Sequence, residues 1–185
     1  VDRKHFRNIM GSRNTYYKTT WVPKEAEDYA KDADNGCFVV FGNETELCQR
    51  ILSDIKRVNE NTVEVYKGKA FSKLEDNKYM LGESGQDYEK LINDIKDRKI
   101  SKIIHMLTVG ADNLIENVEQ LKENKEKGVL SLFHLTKALV ASKIKENIDI
   151  VLISDYASSV AVDEPVIKPH NAALFGLPQR RSGGR

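Results

Sequence analysis

Three serines, Ser154, Ser158 and Ser159, follow the apolar run Asp149-Ile-Val-Leu-Ile153. A serine past the end of a sheet strand can steady a substrate carbonyl, provided a tyrosine donates the proton. That tyrosine needs its phenol acidified by a lysine one helical turn later. Tyr16, Tyr17, Tyr29, Tyr66, Tyr79, Tyr88 and Tyr156 each lack a lysine four positions on. Without the pair, the serines read as polar groups that satisfy backbone at a strand end. No residue is assigned a catalytic role.

A second chemistry is suggested by Gly36-Cys-Phe-Val-Val-Phe-Gly42-Asn-Glu-Thr-Glu-Leu47. This stretch reads as a buried strand, a tight turn at Gly42 and a helix start. In a doubly wound α/β protein that is the seat of a dinucleotide pyrophosphate. The seat needs glycines for close approach and a helix N-terminus clear of negative charge. Here Gly42 stands alone, and Glu44 and Glu46 enter the first helical turn. They suit the helix dipole and would repel a phosphate. No two glycines anywhere are spaced Gly-x-Gly, and the next strand ends in Tyr66-Lys67-Gly68 without an acid for a ribose. No cofactor-binding residue is assigned.

The remaining candidates carry bland readings. His105 falls in an apolar strand and reads as a hydrogen-bonded core histidine. His134 falls on an apolar helix with the same reading, while His5 and His170 are placed in loops. With Cys37 and Cys48 these histidines show no short ligand spacing, so no metal site is expected. Cys48 reads as a packing residue, because Arg50 faces another side of its helix. Asp163-Glu164 before Pro165 reads as a solvated turn. Trp21 reads as the anchor of an edge strand, or else as an interface residue.

The elements that would position these residues follow from periodicity. Residues 1–15 are a linker or lead-in. Tyr16 to Pro23 is a short edge strand, since proline cannot donate to a central ladder. After the opening strand, Leu47, Ile51, Leu52, Ile55 and Val58 mark a helix. Thr62 to Tyr66 is a second strand, and Phe71 to Leu81 reads as a hairpin with Ala70-Phe71 and Tyr79-Met80-Leu81 as arms. Tyr88, Leu91, Ile92 and Ile95 mark another helix, and Lys102 to Leu107 a third strand. Leu114, Ile115, Val118 and Leu121 begin a helix, the charged Lys122 to Lys127 makes a solvated turn, and a long apolar helix runs from Val129 to Ile144. Asp149 to Ser154 is a strand apolar enough to be covered on both faces. Ala172 to Gly176 is a short helix turn or strand, and residues 178–185 are a flexible tail. Alternation of this kind predicts an α/β fold: a truncated Rossmann-like parallel sheet flanked by helices, with a short N-terminal edge strand.

The chain has 185 residues, 29 basic and 28 acidic, with 40% hydrophobic residues. The charge balance favours neither nucleic acid nor an anionic membrane as partner. No apolar run approaches the roughly 20 residues of a membrane span. Two cysteines make no disulfide framework, so a reducing, cytoplasmic setting is expected.

Taken in order, Tyr17-Lys-Thr-Thr-Trp21-Val-Pro23, Phe38-Val-Val-Phe-Gly42, Ile103-Ile-His-Met-Leu107, Gly128-Val-Leu-Ser-Leu132-Phe-His-Leu135-Thr-Lys-Ala138-Leu139, Ile150 to Val160 and Ala172-Ala-Leu-Phe-Gly176-Leu177 resemble the structural subdomain of ketoreductase domains from modular polyketide synthases. The resemblance covers residues 16–177. It implies a degenerate, non-catalytic Rossmann-like half that binds no cofactor. The partner is then a catalytic half, in the same polypeptide or in trans. That half holds NADPH and reduces β-ketoacyl groups on an acyl carrier protein, within a multifunctional enzyme of secondary-metabolite (antibiotic) biosynthesis. The family continues with Gly-Arg after Gly176-Leu177, where this chain has Pro178-Gln-Arg. Two other readings stand beside it: a small stand-alone nucleotide-dependent oxidoreductase, and a scaffold or docking module of a megasynthase.

Overall fold

The computed structural model describes residues 35–110, 115–158 and 167–176, together with Val22 and Glu25. The lead-in, the edge strand around Trp21 and the tail therefore lie outside the described residues, as do His5, Ser159 and Asp163-Glu164.

Strand β1 (Cys37–Gly42) is buried at every position and leads into α1 (Glu46–Val58). The side chain of Thr45 caps α1 by accepting from the Cys48 amide, and Glu46 sits in its first turn, where the dipole favours an acid. The buried face of α1 is Cys48 and Leu52, with Ile51 and Ile55 packed beside them. Leu47 and Val58, expected on that face, point to solvent.

Strand β2 (Thr62–Lys67) is followed by the antiparallel pair β3 (Ser72–Glu75) and β4 (Lys78–Leu81). The expected hairpin is present, but its first arm is Ser72–Glu75 and not Ala70-Phe71. β4 also pairs in parallel with β2, so this crossover is made without a helix. Helix α2 (Gly85–Ile95), capped by Ser84, buries Tyr88, Leu91, Ile92 and Ile95 completely. Burial on that scale stabilises by about 2 kcal/mol per side chain. β5 (Ile100–His105) follows.

Helix α3 (Val118–Lys125) starts later than the apolar spacing suggested, and the Lys122–Lys127 run is not a turn. Lys and Glu are good helix formers, and the chain stays helical through a widened turn at Glu126–Leu130 into α4 (Ser131–Ser142). The break falls at Gly128, whose non-helical φ/ψ of −95°/−106° kinks the path. β6 (Asp149–Leu152) and α5 (Pro169–Gly176) complete the described elements. His170 thus belongs to a helix and not a loop.

The sheet order is β3-β4-β2-β1-β5-β6, with every pair parallel except β3 with β4. One face carries α2, α4 and α5 over Val39, Phe41, Val63, Val65 and Ile103. The other carries α1 over Phe38, Val40 and Ile104. The Rossmann-like architecture expected from the alternation is observed. Among the described residues β6 is not covered on both faces as expected, for Ile150 and Val151 are 41% and 38% exposed.

Candidate functional site: the crevice between the first and fifth strands

Strand order reverses between β1 and β5, because β2 and β4 lie on one side of β1 and β5 and β6 on the other. Ligands of open α/β sheets bind at such a switch point, beyond the carboxyl ends of the strands. Gly42 and the N-terminus of α1 lie there, as the sequence placed them.

The space is occupied by the protein's own polar groups. Asn43 donates through Nδ2 to the carbonyl oxygens of Leu107 (3.1 Å) and Val109 (2.8 Å), tying the turn after β1 to the loop after β5. Its Oδ1 accepts from the Thr45 amide (3.0 Å) and hydroxyl (2.6 Å). The Asn43 amide points at the Cys48 sulfur (3.2 Å), and Gln49 Nε2 donates to the Asn43 carbonyl (2.7 Å). Three amides of this turn are engaged within the chain: Asn43 by the Cys48 sulfur, Thr45 by Asn43 Oδ1 and Cys48 by the Thr45 hydroxyl. Gly110 closes the far wall in the left-handed region (φ +69°), where a Cβ would come within 2.8 Å of Thr45 Oγ1. Exposed Glu44 and Glu46 flank the entrance. A dinucleotide pyrophosphate fits this set poorly, since Gly42 stands alone at the turn, the Thr45 and Cys48 amides are engaged within the chain, and Glu44 and Glu46 would repel a phosphate.

Beyond β6, where the serine-tyrosine-lysine chemistry was sought, a different cluster appears. The Asp155 carboxylate accepts from the Gly110 amide (3.1 Å), Lys168 Nζ (3.2 Å) and Asn171 Nδ2 (3.1 Å). Asn171 also donates to the Asp155 carbonyl (2.9 Å). The Lys168 and Asp155 side chains are only 7% and 19% exposed. Ser154 accepts from Thr108 (2.9 Å) in a strand-end contact, and Ser158 is exposed. Asp155 thus joins the loop after β5, the end of β6 and the start of α5. Tyr156 beside it adopts a left-handed φ of +50°, with Lys168 Nζ 5.2 Å from its ring centre.

His105 is fully buried, stacked 6.0 Å from Phe41, with Nε2 3.0 Å from Ser131 Oγ. Burial lowers its pKa to about 4, so the ring is neutral near pH 7, with a small further push from the Lys67 charge. Among the described residues its Nδ1 has no hydrogen-bond partner. Lys67 Nζ donates to Tyr88 OH (3.3 Å), and burial pushes the Tyr88 phenol up to about 12. Tyr88 is wholly buried, and no substrate could reach it. His134 packs 5.6 Å from Tyr88, as a core-side residue should. Cys37 and Cys48 are buried free thiols whose pKa values burial raises, consistent with packing. Among the described residues no group of three or more His, Cys, Asp or Glu could hold a metal, and no helix is long and apolar enough to cross a membrane.

Asn43 and Asp155 were not singled out by residue type and spacing. The nearest local signal was Asn43-Glu-Thr45 before an amphipathic helix, a cap-like arrangement. Nothing in the sequence tied it to residues 107 and 109.

Solved structures share this architecture. A multidomain structure of a keto acid-selecting NRPS module with adenylation, ketoreductase and pseudo-Asub parts is similar over 85% of this chain and 13% of that one, at 24% identity and TM-score 0.69. An N-terminal ketoreductase from a macrolactin assembly line is similar over 83% and 28%, at 19% identity and TM-score 0.54. A Thermoplasma acidophilum aldohexose dehydrogenase is similar over 78% and 60%, at 15% identity and TM-score 0.52. These likenesses show a Rossmann-like α/β fold, and the chain spans 13% and 28% of the first two proteins. No curated protein matches. A family model does, over residues 36–179, and the chain belongs to that family, the beta-ketoacyl synthase-like N-terminal domains.

Proposed function

We propose that this chain is the non-catalytic structural half of a modular-synthase ketoreductase, binding no cofactor itself and packing on the half that holds NADPH and reduces β-ketoacyl groups on an acyl carrier protein. The observation that carries the reading is the crevice, where Asn43 and Thr45 bind the Thr45 and Cys48 amides and cross to Val109 at the turn a pyrophosphate would approach. The solved ketoreductase-containing structures of similar fold, each much longer than this chain, support the same reading.

A supporting half needs a surface. Phe133 and Val140 on α4 are exposed, one helical face seven residues apart, and Phe175 on α5 is also exposed. Large apolar side chains on the outside of otherwise packed helices suit burial against a second domain. The mechanism would be positional: the Asp155 contacts with Gly110, Lys168 and Asn171 hold α5 against the sheet, and α4 and α5 shape the catalytic half. The setting is cytoplasmic, in keeping with two unpaired buried cysteines.

Titrating the chain with NADPH and following nicotinamide fluorescence tests the cofactor claim. No saturable change is expected up to millimolar concentration. A micromolar dissociation constant would overturn the proposal.

A further inference from the structure

Helix α3 buries none of its side chains, and its two apolar residues, Val118 and Leu121, are exposed and half-buried. A helix this short is marginal in water unless an apolar stripe is packed against something. Leu121 instead lines a cavity of about 800 Å³ that α3 shares with the widened turn Glu126–Leu130 and with α5. The kink at Gly128 separates α3 from α4, and α5 packs against both the widened turn and α3. Widened helical turns of this kind recur at functional sites. The volume is that of a small-molecule site, well beyond the voids of a close-packed interior.

The walls are aliphatic, with Leu121, Val129, Leu130 and Ile167 among them, and Ile167 is 47% exposed. Among the described residues that line the cavity, none is acidic and none is a phenylalanine, tyrosine or tryptophan. A flat heterocycle would find no stacking surface except His170. Burial and the Lys168 charge lower the pKa of His170, so its ring is mostly neutral near pH 7. Lys168 also lines the cavity, but its Nζ lies 3.2 Å from the Asp155 carboxylate, which balances its charge within the protein. Lys125, exposed on the last turn of α3, adds a positive charge on the solvent side. An aliphatic slot with a cation at its mouth complements an aliphatic chain that ends in an anion.

We infer that the cavity between α3, the widened turn and α5 binds a linear aliphatic carboxylate, its chain against Leu121, Val129, Leu130 and Ile167 and its carboxylate at Lys125. Such a ligand gives α3 the apolar contact that the helix otherwise lacks. The inference does not depend on the reductase reading, because it rests on the walls and charge of this cavity, and the crevice at Asn43 takes no part in it.

Calorimetric titration of the full chain with decanoate tests this. Saturable binding is expected, with a dissociation constant on the order of 0.1 mM for so small a ligand. Decyltrimethylammonium, the same chain length with the opposite charge, should bind at least roughly fivefold more weakly, and Lys125→Glu should reverse that preference. Ala173→Trp places a ring in the cavity from an exposed position on α5 and should weaken decanoate binding at least roughly tenfold. Amide exchange in α3 should slow about tenfold at a decanoate concentration roughly ten times the dissociation constant. No saturable heat up to roughly 10 mM decanoate, equal affinity for the two amphiphiles, or undiminished binding in a folded Ala173→Trp protein would overturn the inference. Where decanoate does not bind, a fall in melting temperature of more than about 5 °C in Ala173→Trp assigns the cavity to the chain's own residues. Sedimentation of the parent as a dimer would then assign it to a second copy, and either result overturns the inference.

Discussion

Asp155→Ala is expected to lower the stability of the domain by about 3 kcal/mol, which for a chain of this size is a fall in melting temperature of roughly 6–12 °C. The substitution removes one carboxylate and with it three contacts, from Gly110, Lys168 and Asn171. Breaking a buried pair costs more than the pair contributes, because the remaining charge stays desolvated. Lys168 Nζ, in a side chain only 7% exposed, loses its 3.2 Å contact with the carboxylate. The figure is set at the low end of the range because Asp155 keeps some contact with water. Asp155→Ala with Lys168→Met should cost less than the sum of the two single changes, the non-additivity that marks a coupled pair. Urea denaturation of the single and double variants checks this. An Asp155→Ala protein within 0.5 kcal/mol of the parent, on the order of an ordinary surface substitution, would contradict the role given to the cluster.

Acidification is expected to weaken the fold through His105. In the folded protein this imidazole takes a proton only near pH 4, against an ordinary value of 6.5. Between those values the unfolded chain binds more protons than the folded one, so stability rises with pH across the window. The contribution is complete above about pH 6.5 and gone near pH 4, and its size is about 3 kcal/mol. The Tyr79 hydrogen bond and Lys73 hold the Asp94 carboxyl below its usual range, and Lys56 and Tyr66 do the same for Glu64 against its burial. Those acids add acid sensitivity in the same sense, at lower pH. His105→Asn isolates the histidine: whatever its stability at pH 7, its urea midpoint should lose less than the parent's between pH 6.5 and 4.5. Parallel pH profiles for the two proteins would show that His105 is not buried neutral.

Local elements were legible because local physics decides them. Gly36 to Leu47 announces a buried strand, a turn and a helix start, and that is what forms, with Thr45 as the cap. The Tyr88, Leu91, Ile92, Ile95 spacing likewise gives a helix with all four side chains buried. Two misreadings have opposite causes. Lys122 to Lys127 looked like a solvated turn because it is charged, yet its residues favour helix and α3 runs through most of it. Ile150 and Val151 looked covered because residue type records the burial a strand is built for, and the described residues do not supply the cover.

The candidate site was half legible. Missing glycines and the added acids Glu44 and Glu46 argued against a phosphate cradle from the letters alone. What fills the crevice was not readable, since Asn43 reaches Leu107 and Val109, and Asp155 reaches Gly110, across separations no motif records.

The central claim, that this chain supports reduction carried out by another half, is tested most directly by reconstitution. The chain and the polypeptide encoded after it are expressed separately, mixed, and assayed for NADPH oxidation with a β-ketoacyl thioester. The expected result is little activity from either alone and a gain of at least tenfold, on the order of a 1.4 kcal/mol change in barrier, when they are mixed in equal amounts. Full activity of the second polypeptide without this chain, or no gain on mixing, would contradict the account.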